Sequence, residues 1–367
     1  MIAAGNSRKA DRLQLIAFAG AGVAVFALLL NLDFFSRPGT DEVLTGLLHH
    51  AFVLGCMLIL TAGSRTVSVG TLGVFWLLGV WSVYAVSYLV EDMLGSIAGA
   101  SGKDELMLVW LAPLAEETTK LLPVALYFLL ASRAGRHPSM SDGMLLGFMV
   151  GAGVSFQEDA QFGETLVSGD GWSAATPWTA VFPTISPLDS YFALNHALWA
   201  AISGLSIGVA MMLRPWRWAW VVAFVGPVLS FTNHLMSNQF TYSEFGVNAL
   251  LNRAQGRDVP WFYDLVRDVS FGGRLPMAAL ILGALAVVLA ERVILKSTFN
   301  RDQRFPPLTI AFGAQLLRNG ATRDGMVRIR EAQRYLSLRR SFYFARWRFS
   351  QPEASSVLRE PDVAAVG

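Results

Sequence analysis

Apolar and polar positions fall along this chain in long blocks. Eight predominantly apolar stretches lie near 13–32, 43–62, 70–90, 107–131, 142–162, 190–213, 218–238 and 275–295. Each is long enough to cross a hydrocarbon layer as a helix, for which about 20 residues suffice. Most breaks between them are short, but 163–189 and 239–274 exceed ordinary connection length and point to functional or partly structured loops. The first is rich in Gly, Pro, Ser and Trp. The second, between Phe245 and Asp268, mixes apolar and charged residues in a way that suits an interfacial amphipathic helix. Trp172, Trp178 and Trp261 fit an aromatic belt at a membrane surface. There is no internal repeat. The pattern predicts an all-α, polytopic transmembrane helix bundle of about eight spans.

Composition supports that class. Of 367 residues, 53% are hydrophobic and 15% charged, with a mean hydropathy of +0.44, whereas soluble domains carry about 25% charged residues. The single cysteine, Cys56, excludes a disulfide framework and any Cys-based metal site. Arg8, Lys9 and Arg12 precede the first apolar run, which lacks a convincing cleavage site and reads as a span.

Charge then sets orientation. The N-terminal cluster, Arg65, Arg133 with Arg136, Arg214 with Arg217, and Arg292 with Lys296 all fall on one side of an eight-span arrangement. Asp33, Asp41, Glu42, Glu91, Asp92, Asp104, Glu105, Glu164, Asp170 and Asp189 fall on the other. Excess Lys and Arg mark the cytoplasmic side, so both termini are expected there. Residues 1–296 form the expected transmembrane domain and 297–367 a basic cytoplasmic tail, with twelve Arg against six acids. The tail suits contact with anionic lipid, and no nucleic-acid partner is expected.

Candidate chemistry lies inside the spans. The segment Leu111 to Pro123 buries Glu116, Glu117, Thr118, Thr119 and Lys120 in an apolar run, and such charge usually faces a protein cavity and marks function. Three further spans hold polar clusters: Gly151 to Asp159, Asn195-His196-Ala197-Leu198-Trp199 with Ser203-Gly204, and Thr232 to Asn238. At about 1.5 Å of rise per residue, Glu116 lies ~14 Å from the outer end of its span, His196 ~9 Å, and Glu158 and His234 ~6 Å. All four occupy the outer half of the bilayer and are expected to share one cavity.

Carboxylates and imidazoles at one depth bind zinc with an open position for water. They also perform general acid–base chemistry near neutral pH. Glu116 and Glu117 point about 100° apart on a helix, so they cannot play the same role. Lys120, four residues after Glu116, supports the helix and balances charge. Pro113 is placed to kink the helix, and Gly151 and Gly153 to let helices approach closely. Plainer readings compete: a structural Glu116–Lys120 ion pair, a wet helix end at Glu158 and Asp159, or histidines that only bond neighbouring helices. Asn195 and Asn233 fit interhelical bonding, and His49 and His50 fit packing. Ser155, Ser203 and Ser230 have no evident partner set for a serine hydrolase.

These motifs resemble the PrsW family of intramembrane proteases, itself similar to the CAAX-type prenyl-protein proteases. The resemblance rests on Glu116-Glu117-Thr118-Thr119-Lys120 after Ala112-Pro113, on Gly151 to Glu158, on Asn195 to Trp199 through Gly204, and on His234 with Asn238. It covers about 105–240, the expected catalytic core. Val154 and Asp159 depart from the second motif, where an aromatic and an Asn are usual.

The resemblance implies a peptidase that hydrolyses a membrane-anchored protein, such as an anti-sigma-type regulator, in a bacterial plasma membrane. Our reading of the residues gives Glu116 the role of general base toward water, and which of Glu116 and Glu117 holds it stays open at the level of sequence. Glu117, Glu158, His196 and His234 then bind zinc or, without metal, orient water and donate to the developing oxyanion, with Asn238 assisting. Both versions stand at the level of sequence. Two other classes compete. A proton-coupled transporter should show repeated halves or paired broken helices, which this chain lacks. A binding-only relative would lack a catalytic group, and every expected group is present.

Overall fold

Helices in the computed structural model follow the apolar blocks closely. The structure describes residues 40–100, 104–168, 194–213, 218–242, 261–299, 340–345 and 347. The expected span at 13–32, the Arg8, Lys9 and Arg12 cluster, Trp172, Trp178, the loop segments 169–193 and 243–260 and nearly all of the tail lie outside those residues. Among the described residues the chain is all-helical, without strands.

In chain order the helices are α1 (Thr40–Thr61), α2 (Val69–Ala98), α3 (Ala112–Arg133), α4 (Met140–Ser168), α5 (His196–Met212), α6 (Ala219–Tyr242), α7 (Trp261–Val269) and α8 (Arg274–Phe299). Among the described residues, three stretches are long and apolar enough to cross a membrane: Val69–Ala98, Ala219–Asn238 and Asp264–Ser297. α3 and α4 are as long, but they carry the carboxylates and the lysine that turn inward. α5 has only 17 residues, because Leu194 and Asn195 before it are not helical and the predicted span from 190 is not one continuous helix. α2 runs on past residue 90, which moves Glu91 and Asp92 from the expected outer loop into a helix. α4 likewise continues to Ser168, into the predicted loop.

Local chemistry sets the helix ends. The Ser68 hydroxyl accepts from the Thr71 amide and caps α2, while Gly99 closes it in the left-handed conformation at φ 68°. Asn195 caps α5 by accepting from the Leu198 amide. Two π-helical stretches interrupt the regular spiral. Leu78–Val83 lies inside α2, and Leu106–Leu111 leads directly into α3. Single π turns within helices often accompany functional sites. Pro113 stands second in α3, directly after the π stretch, so the irregularity expected at the proline is spread over the preceding turn.

α4 is the central helix. Every residue from Ser139 to Phe156 is buried, as expected for a helix packed on all sides. It packs most extensively on α5, which in turn packs on α6. A seam of small residues makes the α4–α5 approach possible. A Cβ at Gly143, Gly147 or Gly151 would run into the backbone of Gly204, Ala200 or His196, and one at Gly204 would meet Gly143. On another face of α4, Gly153 meets α2 at Trp76 and, within its π stretch, at Gly79 and Val80. Close approach through small residues is the usual way for helices to pack in lipid, where no hydrophobic drive pushes them together.

The Arg-bearing end of the bundle is tied by buried carboxylates. Asp142 accepts from the amides of Thr66 (2.9 Å), Val67 (3.2 Å) and Ser139 (2.9 Å). Glu291 of α8 accepts from the amide and hydroxyl of Ser141 at 2.8 and 2.7 Å. Residues 340–345 of the tail dock here. An Arg340 guanidinium N–H donates to the Arg65 carbonyl (2.9 Å), the His137 amide donates to Ser341 Oγ (2.6 Å), and Phe344 is fully buried in the main core. This piece of the tail is therefore packed on the bundle, not solvated.

At the other end, α7 turns Phe262 and Val266 toward Val109, Leu235 and Met236 while Trp261, Leu265 and Val269 stay exposed. That is the amphipathic character expected of the second long loop.

Gly147→Val is expected to lower the thermal midpoint in detergent and abolish activity, because the added atoms meet α5 backbone that cannot yield. Overpacking of this kind typically costs about 1–3 kcal/mol. Gly73→Ala, with nothing within 4 Å of the added atom, should leave both unchanged.

Candidate active site

Lys120 is the hub of the polar cluster. Its side chain is fully buried, and its ammonium donates to Glu117 Oε1 at 2.8 Å and Glu116 Oε2 at 3.3 Å. One turn of α3 places all three groups: the lysine follows one glutamate by three residues and the other by four, so it meets both. The ammonium also contacts His196 Nδ1 from α5 and lies 5.7 Å from the centre of the Trp199 ring.

The two imidazoles are built alike. His196 Nε2 pairs with Glu158 Oε2 of α4 at 2.6 Å, and its Nδ1 lies 3.3 Å from Glu116 Oε2. His234 Nδ1 pairs with Glu117 Oε1 at 3.0 Å, and its Nε2 lies 4.0 Å from the same Glu116 oxygen. Each ring thus has one nitrogen on an outer carboxylate and the other turned toward Glu116. A carboxylate on one imidazole nitrogen fixes the tautomer and raises the basicity of the other.

Packing holds both rings. His234 stacks on Trp199 (4.0 Å between centroids, 15° between planes), and His196 meets both rings edge-on at 4.9 Å. Trp199 is itself anchored by its indole N–H to Asn233 Oδ1 at 2.8 Å, an oxygen that also accepts from the Leu194 amide. Asn233 therefore bonds across helices, as expected, whereas Asn195 serves as a cap for its own helix.

The structure thus gathers Glu116, Glu117, Lys120, Glu158, His196 and His234 from four helices. The Asn238 side-chain amide instead donates to the Leu108 carbonyl, inside the π stretch before α3, at 2.9 Å. The side chain of Asp159 lies outside the described residues. His49 and His50 are buried on α1 beside each other, 5.5 Å between ring centroids, and His50 packs edge-on to Phe148.

Sequence reasoning did not find the Lys120–His196 contact, the Trp199–His234 stack or the role of Asn233 in holding it. A lone Trp after Asn-His is a common apolar residue in a span, so its partner is visible only in the fold.

Could this set hold a metal ion? Glu116, His196 and His234 each offer one donor atom, and these lie within 4.8 Å of one another. The second oxygen of Glu117 is buried without a hydrogen-bond partner. Two neutral imidazoles with a carboxylate form a recognised zinc donor set. The residues present therefore fit such an ion, and the Lys120 ammonium marks a place where positive charge is already favoured.

A buried carboxylate–imidazole centre shared by apolar helices has the groups that acid–base or metal-assisted chemistry inside a membrane requires. A family model described as PrsW family intramembrane metalloprotease matches residues 68–254, and the chain belongs to that family. It is accordingly an integral membrane protein of a peptidase family. Comparison with curated proteins and with solved structures found no match.

Lys120→Met is expected to destabilise the fold by roughly 3–5 kcal/mol, the scale for leaving a buried charge unpaired. Combining it with Glu117→Gln should recover part of that loss. Equal melting temperatures for wild type and Lys120→Met would show that the ammonium is not what holds the carboxylates.

Proposed function

We propose that this chain cleaves a peptide bond of a membrane-anchored protein with water activated at Glu116. The carrying observation is the convergence of His196 Nδ1 and His234 Nε2 on one Glu116 oxygen, each imidazole being held from behind by a second carboxylate. That division of labour differs from the one implied by resemblance. Glu158 and Glu117 become groups that orient the imidazoles, and the inward donors are Glu116, His196 and His234.

Glu116 accepts the proton of the attacking water. The inward nitrogens of His196 and His234 accept from that water and orient it, and once protonated they donate toward the oxygen on which charge develops. Lys120 keeps the three carboxylates compatible in one small volume. In the alternative with a metal, a zinc ion held by Glu116, His196 and His234 would supply a Lewis acid and a water of lowered pKa, with Glu116 serving as its ligand in place of acting as base. Asn238 positions the π stretch that introduces α3, and an oxyanion role would require it to release the Leu108 carbonyl.

The wider reading includes about eight spans with both termini in the cytoplasm, a transmembrane domain over 1–296 with its catalytic core at about 105–240, and a basic tail over 297–367. The setting is a bacterial plasma membrane, and the substrate class is a single-span regulator of anti-sigma type. Anionic lipid suits the Arg-rich tail.

Cleavage of a single-span reporter tests the reading. Glu116→Gln should lower the rate by about 10²–10⁴, the usual worth of a general base, with large losses also for Glu117→Gln and His196→Ala. Retained cleavage in all three would overturn the assignment. For the metal, purified protein should contain about one zinc per chain, lost in His196→Ala, and a chelator should stop cleavage. Full activity without bound metal would leave the glutamate-activated water alone.

A further inference from the structure

Exposure within the cluster is uneven. Glu117 and His234 are 4% and 3% exposed at the side chain, against 13% for Glu116 and His196 and 26% for Glu158. Among the described residues, the exposed part of the cluster is formed by Glu116, His196 and Glu158.

The neighbouring wall belongs to α2. Tyr84 is the first residue after the π stretch Leu78–Val83, and Tyr84, Ser87, Tyr88 and Glu91 recur at helical spacing on one face. Ser87 fixes how that face meets α3, because its hydroxyl bonds Thr119, the residue next to Lys120. The Thr119 hydroxyl also lies 3.0 Å from the Glu116 carbonyl, so the face that carries both phenols meets the turn of α3 that bears Glu116. The Tyr84 hydroxyl donates to the Tyr88 hydroxyl at 3.2 Å, with the rings edge-on at 5.0 Å. The chain of donors therefore ends at the Tyr88 O–H, on a side chain that is 43% exposed.

We propose that Tyr84 and Tyr88 form the substrate-binding wall at the mouth of the site, where the Tyr88 hydroxyl donates to a backbone carbonyl of an extended substrate segment. This rests on the proteolytic reading above. A transmembrane substrate must unwind locally before water can reach its peptide bond. Unwinding frees backbone carbonyls and amides that find no partner in lipid. A pair of phenols at the mouth supplies the missing donor without introducing a charge. Tyr84 is a positioning residue that orients Tyr88, and neither takes part in proton transfer.

The π stretch has a physical part in this. Its wider turn lets Gly79 reach the α4 backbone at Val150 and Gly153, and the helix resumes at Tyr84 beside the carboxylates.

The experiment uses the full chain and a single-span reporter, with Tyr88→Phe and Tyr84→Phe. Each variant keeps its ring and should keep the wild-type melting temperature. Tyr88→Phe should raise KM about tenfold with kcat nearly unchanged, the signature of a lost binding contact, and Tyr84→Phe should have a smaller effect of the same kind. In a Glu116→Gln background, the photocrosslinker p-benzoylphenylalanine at position 88 should capture the reporter. At position 89, where Leu89 is 70% exposed and points elsewhere on α2, it should not. Wild-type KM in Tyr88→Phe together with equal capture from the two positions would overturn the wall while leaving the protease reading intact. Absence of reporter cleavage by wild type would overturn the protease reading itself, and the wall with it.

Discussion

One buried ammonium ion makes the rest of the site possible. Glu116, Glu117 and Glu158 converge where lipid and helix leave little water, and three carboxylates in one small space repel strongly at low dielectric. Lys120 Nζ lies within 3.3 Å of two of them. Desolvating that charge is costly, and removing it would leave two glutamates without a counter-ion, so the arrangement holds only as a set. The aromatic face of Trp199 completes the enclosure. Stability and chemistry therefore share a residue, and Lys120 does more than support its own helix.

The second requirement is backbone proximity. His196 is the first residue of α5, yet it reaches Glu158 near the far part of α4 because the two helices touch through glycine. Gly151 lies directly against the His196 backbone, so the seam that packs the bundle also sets the imidazole–carboxylate distance. The same helix meets α2 through Gly153 and Gly79. A single central helix thus fixes the placement of His196 on one side and of the helix that carries Tyr84 and Tyr88 on the other.

Much of this was legible in the sequence. Apolar block length placed the described helices to within a few residues at most ends. The polar residues inside those blocks named the cluster, since charge within a span is costly and persists where it lines a protein interior. Depth along separate helices brought Glu116, Glu158, His196 and His234 to one level. It did so although α5 begins at His196 itself and not at 190, so that the depth given to this residue was measured from the wrong end point. Side-chain pairing was not legible. Whether Glu117 faces a metal or an imidazole depends on rotation about α3 and on Lys120, which spacing alone leaves free. Tyr84 and Tyr88 read as ordinary membrane aromatics until the π stretch and the Ser87–Thr119 contact orient their face. The buried position of Phe344 was hidden because the Arg-rich residues around it dominate the tail's composition.

The central claim is that Glu116 activates water for cleavage of a membrane-anchored protein. It is tested most directly by comparing protein termini in membranes of cells that make either wild type or Glu116→Gln at equal levels. The account predicts new termini, within or beside the span of at least one single-span protein, that appear with wild type and vanish with Glu116→Gln. Identical sets of termini from the two would contradict it.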